Sequence, residues 1–207
     1  MMILKNNIKK LKNNKSNCMK NWKIIRTIPE WDYSSIDERC LTHDGDIVDL
    51  GCLDWDWSNF FIGKKRVIGA DPYENEKEGT ELFKGIVWNF DGKMKIQNNG
   101  VGTTIFTEGE DEFDVITWKM FCDNFNVKKI SVLKLNIEGA EYDLLRSFTD
   151  EDFENIDQIV VSFHHRINPE WNKDTDECIE LLKRKNYTIE KINHIWDWFL
   201  AVKNTND

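Results

Sequence analysis

A chain of 207 residues is long enough to bury the core of one domain and short for two. Its net charge of −9 is uneven: residues 1–28 carry eight basic side chains and no acid, which leaves 20 basic against 37 acidic residues on the rest. An acidic body repels phosphate backbones, so general nucleic-acid binding by that body is disfavoured, and no run approaches the ~20 apolar residues of a membrane span.

Residues 1–40 read as a basic arm followed by cover helices, and residues 41–207 as a single domain. The arm has charge and asparagine where a secretory signal needs a continuous apolar run, so the protein is expected in the cytoplasm. The arm itself is either a solvated terminus or a contact for phosphate or an acidic substrate. Trp22 to Ile28 is a short amphipathic piece that Pro29 interrupts, and Ser34 to Cys40 has the serine-to-acid spacing that opens a helix.

The pattern then alternates. Strands are predicted at Asp46 to Leu50, Arg66 to Ala70, Lys84 to Trp88, Lys93 to Gln97 and Phe113 to Thr117. Four more follow at Val132 to Asn136, Gln158 to Phe163, Thr188 to Ile192 and Phe199 to Lys203. Helices are predicted at Trp57 to Ile62, Asn75 to Phe83, Met120 to Phe125, Ala140 to Phe148 and Thr175 to Lys185. Such alternation implies an α/β fold, a mostly parallel sheet with helices on both faces. Asn98 to Asp111, the longest irregular stretch, reads as a mobile loop, an active-site lid or a plain hairpin insertion. The five cysteines are scattered and never form a CxxC pair, which fits reduced thiols better than disulfides or a zinc site.

Two places in this layout are built to meet a ligand. The strand Asp46 to Leu50 runs into Gly51, and the next strand runs into Asp71 about twenty positions later. That is the nucleoside-binding spacing of a doubly wound sheet: glycine admits close approach and the acid accepts ribose hydroxyls. The second place is VLKLNIEGAEYDLL, residues 132–145, where an apolar strand enters the polar turn Asn136-Ile137-Glu138-Gly139 and continues into a helix.

VDLG at 48–51, GADP at 69–72, IVWNFDG at 86–92 and LKLNIEGAEYDLL at 133–145 together resemble the FkbM family of S-adenosylmethionine-dependent methyltransferases. The resemblance spans roughly residues 46–165. It implies a Rossmann-like class I methyltransferase fold: a mostly parallel, doubly wound sheet with an antiparallel C-terminal strand. It also implies S-adenosylmethionine as cofactor and transfer of its methyl to an oxygen of a sugar or other small-molecule acceptor.

On that resemblance Asp49 and Gly51 face the methionine part of the cofactor. The loop after them is CLDWDWSN, in which Trp55 and Trp57 either narrow the pocket, offer aromatic faces to a sulfonium, or pack in the core. Asp71 takes the ribose hydroxyls or serves as an acid at a helix start. Trp88 and Asn89 stand near the expected adenine position, while Asp91-Gly92 reads as a hairpin turn. Asn136 occupies a position where the family has aspartate, and an amide neither holds negative charge nor acts as a base. Glu138 and Glu141 keep that capacity, or act only as first-turn acids.

His164 and His165 end the strand Gln158 to Phe163 on the same rim. Methyl transfer to a hydroxyl needs a proton acceptor, and histidine has a suitable pKa. Neighbours on a strand point to opposite faces, so at most one faces the pocket. Glu138 and His164 also form a conceivable metal pair, though the resemblance calls for no metal. The catalytic candidates are therefore His164, His165 and Glu138, and the cofactor candidates Asp49, Gly51, Asp71, Trp88, Asn89 and Asn136.

Two rivals use the same residues. Asn136 and the crowded loop also fit an S-adenosylmethionine-binding or interaction module that has lost catalysis. A nicotinamide-dependent oxidoreductase on a similar sheet lacks the GxGxxG turn it needs. The acceptor is set by loops without a readable motif, and no nucleic-acid or membrane partner is expected.

Overall fold

The computed structural model describes residues 22–30, 34–100, 109–166, 168–193 and 195–204. The basic arm up to residue 21 and most of the irregular stretch, residues 101–108, lie outside them. Strands β1 (Ile24–Arg26) and β2 (Ser35–Asp37) pair antiparallel, and a 3₁₀ turn at Glu38–Leu41 follows. Both segments are helical in the sequence reading. The chain instead extends because Ile36 is buried completely on the main sheet, and the Gln158 amide bonds both the N–H and the carbonyl of Asp37 at 3.0 and 2.9 Å.

The parallel strands β3 (Asp46–Leu50), β4 (Val67–Ala70) and β5 (Thr80–Phe83) come next. They are followed by β6 (Ile86–Trp88), β7 (Gly92–Ile96) and β8 (Asp111–Thr117), then helix α1 (Trp118–Asn124). The remaining elements are β9 (Ile130–Leu135), α2 (Glu141–Ser147), α3 (Asp150–Glu154), β10 (Gln158–Ser162), α4 (Asn172–Arg184), β11 (Tyr187–Asn193) and β12 (Trp198–Lys203).

Seven strands form the main sheet in the order β11-β12-β10-β9-β3-β4-β5. Neighbours from β10 to β5 are parallel, while β12 is antiparallel to β10 and to β11. From β3 the chain builds outward to β4 and β5 on one side, then returns to β9 and β10 on the other. Strand order therefore reverses at β3, and the carboxyl ends of β9, β3 and β4 open a crevice there.

Alternate strand residues belong to two separate cores, as the two-residue period requires. Val48, Ile68, Leu133 and Val161 face one core, where they meet Phe121 of α1, Leu144 of α2, Phe153 of α3 and Leu182 of α4. Ile47, Val67, Val132 and Val160 face the other, against Ile36, Cys40, Trp55, Trp57 and Phe61. Both faces are covered, but among the described residues the α-helices cover only the first.

Two predicted helices are accordingly corrected. The first, Trp57 to Ile62, is a single 3₁₀ turn at Ser58–Phe61, which ends before Gly63 at φ +78°. In the second, Asn75 to Phe83, left-handed Gly79 at φ +83° breaks the helical pattern, and Thr80 to Phe83 then pair with β4 as β5. The helical charge pattern there loses to a row of backbone hydrogen bonds.

A second, three-stranded sheet has the order β6-β8-β7. The hairpin predicted at Asp91-Gly92 is thus not a paired hairpin: β8 lies between β6 and β7, and the Thr117 N–H donates to Asp91 Oδ1 at 2.7 Å.

Candidate active site

A cavity of about 390 Å³ occupies the crevice at the strand ends. Its apolar lining includes Leu50, Ala70, Ile86, Val87, Ile96 and Ile137. Its carboxylates are Asp54, Asp71 and Glu74 from the loops after β3 and β4, and Glu138 from the turn after β9. Gly51 and Asn136 complete the part contributed by predicted residues. The size and the apolar body with few polar groups are those of a small-molecule site.

Gly51 is at φ +78°, and a Cβ there would lie 2.0 Å from the Asn136 carbonyl oxygen. The glycine is therefore required by the close approach of two strand ends, before any ligand is considered. Gly51→Ala should lower stability by at least about 2 kcal/mol, read from a shift in the urea midpoint. An unchanged midpoint would show that the turn moves aside freely.

Beneath Gly51 lies a buried ion pair. Asp49 and Lys134 are register neighbours on β3 and β9, and Lys134 Nζ donates to Asp49 Oδ1 at 2.6 Å and to the Gly51 carbonyl at 2.7 Å. Both side chains are almost fully buried. Asp49 is thus a support under the cavity floor, and it does not line the cavity. Sequence reasoning passed over Lys134, although one charge inside the apolar run ISVLKL signals a buried partner.

Asp71 lines the cavity after β4, and its Oδ1 accepts the N–H groups of Tyr73 at 2.9 Å and Glu74 at 3.2 Å. Burial raises its pKa, and these two backbone bonds hold it back. The acid caps a turn here, since no helix follows. Glu74 in turn accepts the Asp54 N–H at 2.6 Å, which fixes the loop after β3 against the loop after β4. Nothing in the spacing of Asp54 and Glu74 foretold this pairing.

The loop tryptophans leave the cavity. Trp55 is 2% exposed and lies over Gly69, where a Cβ would meet its ring at 2.5 Å. Trp57 packs on Phe61 at 5.2 Å between ring centroids. Burying both rings in the core holds Asp54 and Trp55 in left-handed conformations, at φ 55° and 56°. Trp88 and Asn89 do not line the cavity either, and their segment reaches it one step earlier, through Gly85, Ile86 and Val87.

His164 and His165 diverge as neighbouring residues must. His165 Nδ1 lies 3.1 Å from Thr175 Oγ1, and its Nε2 lies 3.3 Å from Asp197 Oδ2. His164 is 2% exposed between two acids, with Nδ1 3.1 Å from Glu141 Oε1 and Nε2 3.4 Å from Glu138 Oε1. Burial by itself lowers the His164 pKa, but Glu141 and Glu138 outweigh it and push it up to about 10. His164 is therefore an imidazolium at neutral pH, without a lone pair to accept a proton. Of the three catalytic candidates, only Glu138 lines the cavity. Among the described residues no group of three His, Cys, Asp or Glu side chains is arranged to hold a metal ion.

Comparison with known proteins bears on this site. A family model for the methyltransferase FkbM domain matches residues 59–189. A curated relative, "Methyltransferase 1" of Beauveria bassiana (strain ARSEF 2860), is 47% identical over 36 residues, which are 17% of this chain and 14% of that protein. The crystal structure of a methyltransferase FkbM from Methylobacillus flagellatus KT superposes with a TM-score of 0.53 at 17% identity. That superposition covers 77% of this chain and 43% of the other, and at such identity it speaks for the fold alone.

Proposed function

The chain belongs to the FkbM methyltransferase family, and from that premise we propose that it takes S-adenosylmethionine as methyl donor and methylates a hydroxyl of a sugar or related small metabolite on a Rossmann-like sheet. One observation carries the reading: the cavity at the strand-order reversal has a largely apolar lining and takes carboxylates from the ends of β3, β4 and β9. An apolar lining suits a flat purine, and carboxylates suit ribose hydroxyls and a cationic centre.

The residues present fit that donor. Asp71 would accept the ribose hydroxyls through Oδ2, since Oδ1 serves the turn. Val87, Ile86 and Ile96 line an apolar wall for the purine. The bound cofactor supplies an activated methyl, and the protein's work is to align the acceptor oxygen with it. The proton lost by the acceptor is assigned to Glu138, because His164 is already protonated and His165 is engaged by Thr175 and Asp197. Asn136 keeps a hydrogen-bonding role beside it.

The crowded loop gives no support to a degenerate module, since Trp55 and Trp57 are core residues. The thiols of Cys40, Cys52, Cys122 and Cys178 are free, which fits the reducing cytoplasm. Among the described residues no helix is long and apolar enough to cross a membrane.

Isothermal titration with S-adenosylmethionine and S-adenosylhomocysteine tests the donor site. Asp71→Asn keeps the amide oxygen for the turn while removing the charge, and it should weaken both ligands at least about tenfold. If neither ligand binds the intact protein, the donor reading fails.

A further inference from the structure

Glu138 is held in a way that its place in a turn does not require. It adopts a left-handed conformation, φ 53°, which a non-glycine residue enters at a cost and which concentrates at functional positions. Gly139 follows at φ 106°. The turn is fastened by Glu141, whose carboxylate is fully buried and accepts the N–H groups of Ile137 at 2.7 Å and Gly139 at 2.9 Å. Against that carboxylate lies the His164 ring, and on the ring's far side lies Glu138 Oε1. Two acids and one buried imidazole thus form a row from the core to the cavity wall, and the row ends on Glu138.

We propose that His164, backed by Glu141, is a positioning residue that keeps Glu138 charged and aimed at the reacting end of the cavity, where its charge meets the sulfonium of the donor. This rests on the donor reading above. The strand order supports the placement: β3 lies between β9 and β4, so Glu138 and Asp71 line the cavity from strand ends two places apart. A ligand whose ribose meets Asp71 extends toward Glu138. Without the imidazolium, Glu138 and Glu141 would be two carboxylates sharing one site, and one of them would take up a proton.

Among the described residues Asp71, Glu74 and Asp54 line the same cavity as Glu138, and Tyr142 and Cys178 are the titratable groups beside Glu141 at the row's inner end. His165, next in sequence, turns instead to Thr175 and Asp197.

The test compares a ligand that carries the sulfonium charge with one that lacks it. S-adenosylmethionine and S-adenosylhomocysteine are titrated calorimetrically into the intact protein, Glu138→Gln and His164→Gln. Glu138→Gln is expected to weaken S-adenosylmethionine about tenfold and S-adenosylhomocysteine less than about twofold, the difference one charge-assisted contact makes. His164→Gln should make S-adenosylmethionine affinity fall as pH drops from about 7.5 to 5.5, while the intact protein stays flat over that range. Equal losses for the two ligands in Glu138→Gln, or a flat profile in His164→Gln, would overturn the inference alone. Failure of both ligands to bind the intact protein would overturn the donor reading and this inference with it. Glu138→Gln leaves the buried imidazole and Glu141 in place, so the comparison stands even if His164→Gln does not fold.

Discussion

Lys134→Met is expected to destabilise the fold by about 3–5 kcal/mol, because it strands the Asp49 carboxylate in the interior without its cation. The pair is 2.6 Å long with both side chains nearly dry, and Lys134 also holds the Gly51 carbonyl at 2.7 Å. Among the described residues Asp49 Oδ2 has no hydrogen-bond partner, so the carboxylate depends on Lys134. Met has similar length and is apolar, so most of the loss comes from the unpaired charge and little from a cavity. Adding Asp49→Asn should restore a large part of the stability, since a neutral amide costs less to bury than an unpaired carboxylate. Urea unfolding of the two single variants and the double variant measures this. A loss below about 1 kcal/mol for Lys134→Met would mean that water reaches the pair and screens it.

The second large effect concerns pH. The folded protein holds the His164 proton up to about pH 10, whereas an unfolded histidine releases it near 6.5. Between those values the folded state binds more protons than the unfolded one, so stability falls as pH rises. The contribution is fully present below about pH 6.5 and is lost by about pH 10, with a slope of about 1.4 kcal/mol per pH unit between. The stability difference between the intact protein and His164→Gln should therefore shrink steadily when unfolding is followed at about pH 6.5, 7.5, 8.5 and 9.5. Subtracting the variant removes the titration of the groups remote from His164, and the range above about pH 6.5 is where the histidine itself dominates the difference. A difference independent of pH would mean that the ring is neutral in the folded protein, and the row from Glu141 to Glu138 would then lose its central charge.

What could be read before folding was what depends on neighbours in sequence. Apolar runs of four to six residues ending in Gly51, Asp71 and the Asn136 turn mark strands whose carboxyl ends come together, and those three residues do converge on one cavity. Helices α1, α2 and α4 were equally legible, because their apolar stripes are local, and α1 adds a local cap in the Thr117 side chain accepting the Met120 N–H; α3, only five residues long, was not legible. The segment Asn75 to Phe83 misled for the same reason: its charged residues favour a helix, and only the open edge of β4 draws it into β5.

Residues close along the chain thus wrote the alternating strands, the two turns that line the cavity and the acid at Asp71. Tertiary structure decided the rest. It sent Trp55 and Trp57 into the core and inserted β8 between β6 and β7. It joined Asp49 to Lys134, 85 positions away, and it buried His164, a possible base, between Glu138 and Glu141, whose charges raise its pKa. Charge state and pairing depend on what lies across a strand register and on how much water remains there, and both are set only when distant segments pack.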